Sequence, residues 1–122
     1  MSYIDGFVIA VPAANKQKFV AHARQLDPIF IALGAIRVIK GCGDDVLFGK
    51  VTDSRRAVQA TAQETLAFSW VKWPDKATRD AAMKKMTEGP RMDPSAPGNP
   101  PMPFDGKRMI IGGFEQVVEV KA

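Results

Sequence analysis

Asp5 is the residue whose setting most suggests chemistry. It lies in the apolar stretch Tyr3-Ile4-Asp5-Gly6-Phe7. On a strand it shares a face with Tyr3 and Phe7, and a carboxylate among aromatic rings either takes a cationic partner or has a raised pKa suited to proton transfer. Arg37 and Arg108 are the candidate partners; a final strand lying beside the first would make Asp5 and Arg108 a structural ion pair. His22, the single histidine, is the other candidate base. It falls about 60° from the centre of the first helix's apolar stripe at ~100° per residue, a position open both to a general base at the sheet edge and to a boundary histidine with a wet tip. Arg91 and Arg108 bracket a proline-rich loop, and both could reach an anion held beneath it through paired hydrogen bonds. Asp105 precedes Gly106, and the pair has a purely local reading as a turn in which the carboxylate bonds the backbone.

Other chemistries are disfavoured. No second histidine, cysteine or carboxylate stands four residues from His22, so metal binding is not expected. Cys42 is the single cysteine, which excludes an intrachain disulfide, and no Ser-His-Asp or Cys-His arrangement is visible. No cofactor is implied. The segment from Gly43 to Lys50 has the look of a phosphate loop with the wrong glycine spacing and Val51 where a magnesium-binding hydroxyl should stand, so it reads as turn chemistry. Phe68-Ser69-Trp70-Val71-Lys72-Trp73 mimics the aromatic alternation on which RNA-binding sheets stack bases. The mimicry is partial, because Leu66-Ala67 replaces the basic-glycine lead of that motif.

The 122 residues, 46% hydrophobic and 25% charged, fit one domain spanning the whole chain. The net charge of +4 is spread in ones and twos, so nucleic acid is not the expected partner. No apolar run nears the ~20 residues that cross a bilayer, and the first residues lack a basic-then-apolar pattern. No membrane association is expected, and the expected location is the cytoplasm.

The elements that must position these residues follow from periodicity. Residues 3–11 form a first strand ended by Pro12. A helix starts near Asn15, carries Phe19, Ala23, Leu26, Phe30 and Leu33 on one stripe, is kinked at Pro28 and closes at Gly34. Residues 35–40 and 66–73 are strands, with an edge strand at 55–60, and Asp75 caps a second helix with Ala82, Met83 and Met86 on its apolar side. Prolines 90, 94, 97, 100, 101 and 103 make 88–106 a lid, an arm, a binding loop or a disordered segment. A strand over 107–120 completes the order βαββαβ, that of a ferredoxin-like α+β sandwich with an extra edge strand. Two helices cover one face of such a sheet, yet both faces of these strands are apolar, and a partner subunit is the simplest cover. A fourteen-residue last strand at ~3.3 Å per residue would overhang the domain. A bend at Gly112-Gly113 would let it wrap a neighbour.

Tyr3-Ile4-Asp5-Gly6-Phe7, Gly49-Lys50-Val51-Thr52-Asp53, Phe68-Ser69-Trp70, Arg79-Asp80-Ala81, Pro90-Arg91-Met92, the 102–109 segment and Gly112-Gly113-Phe114 together resemble the YbaA-like family of small bacterial proteins. The resemblance spans nearly the whole chain and implies a homodimer of the dimeric α/β-barrel type, in which two sheets face each other. It implies no particular reaction. Leu47-Phe48 and Ser54 depart from the family pattern, where turn-like polar residues and an aromatic are expected. With the residues read above, the expected function is binding of a small aromatic or acidic metabolite between sheet and helices beneath the 88–106 loop. Fold analogy extends this to a cofactor-independent oxygenase or isomerase, with Asp5 or His22 as base, Arg37 or Arg108 as anion stabiliser, and Phe7 and Trp70 as apolar wall. The rivals are a non-catalytic dimeric interaction protein and, behind it, a single-stranded RNA binder using Phe68 and Trp70.

Overall fold

A computed structural model describes residues 2–88 and 101–122. The chain runs β1 (Tyr3–Pro12), α1 (Lys16–Ala32), β2 (Arg37–Cys42), α2 (Ser54–Ala57), β3 (Glu64–Trp73), α3 (Lys76–Glu88) and β4 (Ile110–Glu115). The strands form one antiparallel sheet in the order β2-β3-β1-β4. This is the ferredoxin-like arrangement: the two long strands are central and the two short ones form the edges.

Strand alternation sorts the side chains onto two faces. Tyr3, Asp5, Phe7, Ile9 and Val11 point toward the helices. There Phe30 of α1 and Ala82 and Met86 of α3 close over Val71 and Trp73, while Phe19 packs with Ile9, Val11 and Ala67. The apolar stripe read for α1 is the buried one, with Phe19, Leu26 and Phe30 fully covered, and Pro28 stands inside the helix. Gly34 ends the segment at φ 112°, a left-handed conformation that glycine adopts without strain. Asp75 caps α3 by accepting the Thr78 N–H at 2.7 Å.

Two expected elements differ. The 55–60 segment is the short helix α2 and its exit, because Asp53 accepts the Arg56 N–H at 2.8 Å and the Gly49 N–H at 3.2 Å, capping a helical turn. The last strand covers six residues instead of fourteen. Residues 106–108 form a single 3-10 turn, and beyond Glu115 the template runs out, since Tyr3 opposite it opens β1. Only the Gln116 N–H continues, donating to the Ser2 carbonyl at 2.9 Å. The overhanging strand is therefore replaced by an irregular tail.

Gly112 and Gly113 make no bulge, as the β1–β4 register is continuous through them. They serve close approach. A Cβ on Gly112 would press on the Phe114 ring at 3.2 Å. One on Gly113 would come within 2.6 Å of the Arg79 guanidinium and closer still to the Tyr3 hydroxyl.

Candidate functional site

Asp5 has no exposed surface. The guanidinium of Arg79, on α3, donates to it from Nη2 at 2.9 Å and from Nε at 3.1 and 3.2 Å, and the Trp73 indole N–H donates at 2.9 Å. The same guanidinium lies over the Tyr3 ring, 5.0 Å from its centre. This corrects the expected partner, which is neither Arg37 nor Arg108. Both carboxylate oxygens are engaged from inside the protein, so the group is one half of a structural ion pair. A signal for Arg79 was present: it stands three, four and seven residues before Ala82, Met83 and Met86, on the stripe that must face the sheet.

Arg108 is engaged elsewhere. It donates to both oxygens of Glu64 at 2.8 and 2.6 Å, to Asp105 at 3.0 Å and to the Gln59 carbonyl at 2.9 Å. Asp105 also accepts the Lys107 N–H at 3.0 Å, the local turn role read from its spacing. Glu64 is 9% exposed. The hydrogen bonds from Arg108, then the Thr61 N–H, hold its carboxyl at about 2, well below the usual 4.5. A carboxylate depressed by folding contributes stability that is complete above its unfolded pKa and disappears as pH falls through its folded one. The difference in unfolding free energy between the wild type and Glu64→Gln is therefore expected to be constant above pH 5 and to shrink between about pH 4.5 and 2. Denaturant titrations at stepped pH measure it, and parallel curves across that window would contradict the pairing.

His22 packs edge-on against Phe104, 6.3 Å between ring centres. Burial, and then the charge of Lys40, push its imidazole pKa down from the ordinary histidine value. Phe7 lies on the helix side beneath the Lys40 ammonium, 5.8 Å from its ring centre, while Trp70 lies on the opposite face. Both residues border the open-face groove, but their side chains leave opposite faces of the sheet, and Asp5 and His22 are separated from Trp70 by the sheet. Arg91 lies outside the described residues, as does most of the 88–106 loop. Of the expected set, Arg37 and Trp70 are brought together, the guanidinium 5.9 Å from the indole centre.

They meet on the open face. One end of that face is covered, where Val58 packs on Ala10 and Leu66 with Val46 beside them. The centre is not. Phe68 is 59% exposed and Phe114 62%, and with Ile4, Val8, Trp70 and Ile110 they line a groove of about 740 Å³ floored by Gly6 and Gly112. Lys72, Gln116 and Glu119 stand among its lining residues. The apolar parity of Ile4 and Val8 signalled this face in the sequence, whereas the tail residues had no such signal because the tail reads as strand.

Among the described residues, no cluster of three or more histidine, cysteine or acidic side chains could hold a metal ion, and no helix is long and apolar enough to cross a membrane.

The model of the family described as "Protein of unknown function (DUF1428)" matches residues 2–106. The chain is 47% identical over 119 residues to Uncharacterized protein YbaA of Escherichia coli K12, covering 98% of this chain and 99% of the relative, and the same figures hold for the YbaA of Shigella flexneri. Among solved structures, a dimeric ferredoxin-like protein from an uncultured marine organism aligns with 99% of this chain and 98% of its own, at a TM-score of 0.56 and 7% identity. That similarity shows the ferredoxin-like fold.

Proposed function

Because this chain belongs to the DUF1428 family, in which YbaA is a close relative in sequence, we propose that it is a homodimer whose two open sheet faces meet and enclose a chamber for a small aromatic or acidic metabolite. The observation that carries this reading is the exposed centre of the face. Phe68 and Phe114 project from adjacent parts of one sheet with more than half their surface in water, and a contiguous apolar patch of this kind on a folded domain marks an interaction surface. A second copy fits because a two-fold axis makes a patch its own complement, apolar centre on apolar centre. The solved structure with the same fold is described as dimeric, which supports the assembly. The groove, about 740 Å³, falls in the size range of small-ligand sites of ~300–1,000 Å³.

The chamber is a binding site in this reading. Asp5 and His22 lie across the sheet from it, so the reading includes no proton transfer by either. The mass of the protein in solution, measured by light scattering at low micromolar concentration, should be that of two chains, and N-phenyl-1-naphthylamine, a neutral apolar dye, should gain fluorescence in its presence. A monomeric mass would leave the face open and sink the reading; single-stranded RNA would then be the next ligand to titrate.

A further inference from the structure

Among the described residues, the lining of the open-face groove contains a single lysine and a single acid, Lys72 and Glu119, and the two are paired with each other. Lys72 lies on β3 opposite Ile4 on one side and Arg37 on the other, so its stem is fixed by the sheet and its ammonium stands at the end of the aromatic row. Glu119 comes from the tail. Its segment is tied down lightly: apart from the Gln116 bond to Ser2, the interactions described for 116–122 are the ion pairs of Glu119 itself, and Val117, Val118 and Val120 are each at least 75% exposed. Glu119 also has a second cation, Lys121, at 3.3 Å. It can give up Lys72 and keep a partner, which makes the exchange inexpensive.

We propose that Glu119 is a stand-in for the ligand's own anionic group: the chamber takes a flat apolar molecule bearing one carboxylate or sulfonate, whose acid displaces Glu119 from Lys72 while its body lies along Phe68, Trp70 and Phe114. This rests on the binding reading above and names its ligand class and its built-in competitor. The Lys72 ammonium suits a monoanion, with the guanidinium of Arg37, its cross-strand neighbour, held over Trp70 beside it. The apolar body supplies the affinity and the ion pair the selection, because removing a matched charge from a dry groove leaves Lys72 unsatisfied. The tail thereby keeps the cation satisfied when the chamber is empty.

The test uses two dyes with one ring system, 8-anilinonaphthalene-1-sulfonate and its counterpart without the sulfonate, N-phenyl-1-naphthylamine, titrated by fluorescence against the full chain. Glu119→Gln should tighten the sulfonate by about fivefold and leave the neutral dye within twofold. Lys72→Met should remove most of the difference between the dyes, the neighbouring Arg37 keeping the remainder. Equal effects of Glu119→Gln on both dyes, or none on either, would overturn the displacement while leaving the chamber standing. If neither dye binds the wild type, the chamber reading itself falls and this inference with it. Circular dichroism of each variant verifies that the fold is retained, and the exposed position of Glu119 makes Glu119→Gln the safer variant for the decision.

Discussion

Asp5→Ala is expected to destabilise the protein by about 2–4 kcal/mol, toward the lower side of the cost of breaking a buried ion pair because Arg79 keeps Asp80 as a second partner. The carboxylate is fully enclosed. Its loss leaves the Arg79 guanidinium with the more exposed Asp80 carboxylate, at 2.9 Å, as its remaining anionic partner and leaves the Trp73 N–H without its acceptor. A domain of this size commonly has about 5–15 kcal/mol in total, so a large part of the folded state's margin depends on this one side chain. Asp5→Asn should recover only part of the loss: an amide can still accept from Trp73, but it cannot match the guanidinium charge. Asp5→Leu combined with Arg79→Met should be milder than Asp5→Ala, because no unpaired charge then remains. Urea unfolding at pH 7 measures all of these, with an unchanged m-value showing that the comparison is one of stability. An Asp5→Ala unfolding free energy within about 0.5 kcal/mol of wild type would show that the pair contributes nothing.

Phe114→Asp is expected to abolish the dimer at low micromolar concentration while leaving the monomer folded. Phe114, on the edge strand β4, holds its ring beside Gly6 and Gly112 on the open face and is mostly exposed within one chain, so the isolated fold loses little when it is replaced. In a two-fold assembly every substitution is made twice. Two carboxylates would be placed in an apolar contact, at a cost of several kcal/mol, and each 1.4 kcal/mol is tenfold in the dissociation constant. A rise of at least a thousandfold follows. Phe68→Asp should act in the same direction, and Leu47→Asp, exposed on the 43–53 connection, serves as a comparison outside the centre of the face. Sedimentation or light scattering reads the mass, and circular dichroism confirms the fold. A Phe114→Asp protein that retained the dimer mass would place the contact somewhere other than this face.

The elements were legible where local pattern suffices. The 3.6-residue stripe of Phe19, Leu26 and Phe30, the positive φ available to Gly34, the Asp75 cap and the alternation around Trp70 each depend on residues within a few positions of one another. The two-faced apolarity of Ile4 and Val8 against Ile9 and Val11 was equally local, and from it came the exposed sheet face. Two local readings failed for instructive reasons. In the 55–60 segment, composition allowed a strand, but Asp53 caps a helical turn and Arg55 ties its exit by donating to the carbonyls of Thr61 and Glu64. In the last strand, fourteen residues with good strand propensity become six, because pairing needs a neighbour and β1 starts at Tyr3.

The partners of the charged groups could not be read the same way. Asp5 and Arg79 are separated by 74 residues and Glu64 and Arg108 by 44, and neither pairing is encoded in spacing. Sequence by itself determined the four main strands and two long helices, the apolar stripes that cover one face of the sheet, and the presence of a carboxylate among aromatic rings, though not the 55–60 turn or the length of the last strand. Tertiary structure decided which cation meets that carboxylate, which arginine closes on Glu64, and that Phe7 and Trp70 face away from each other. The physical reason is that backbone conformation and amphipathic period are set by near neighbours, whereas a hydrogen bond across the molecule depends on strand order, register and helix placement together, and a change of one residue in register moves every side chain to the other face.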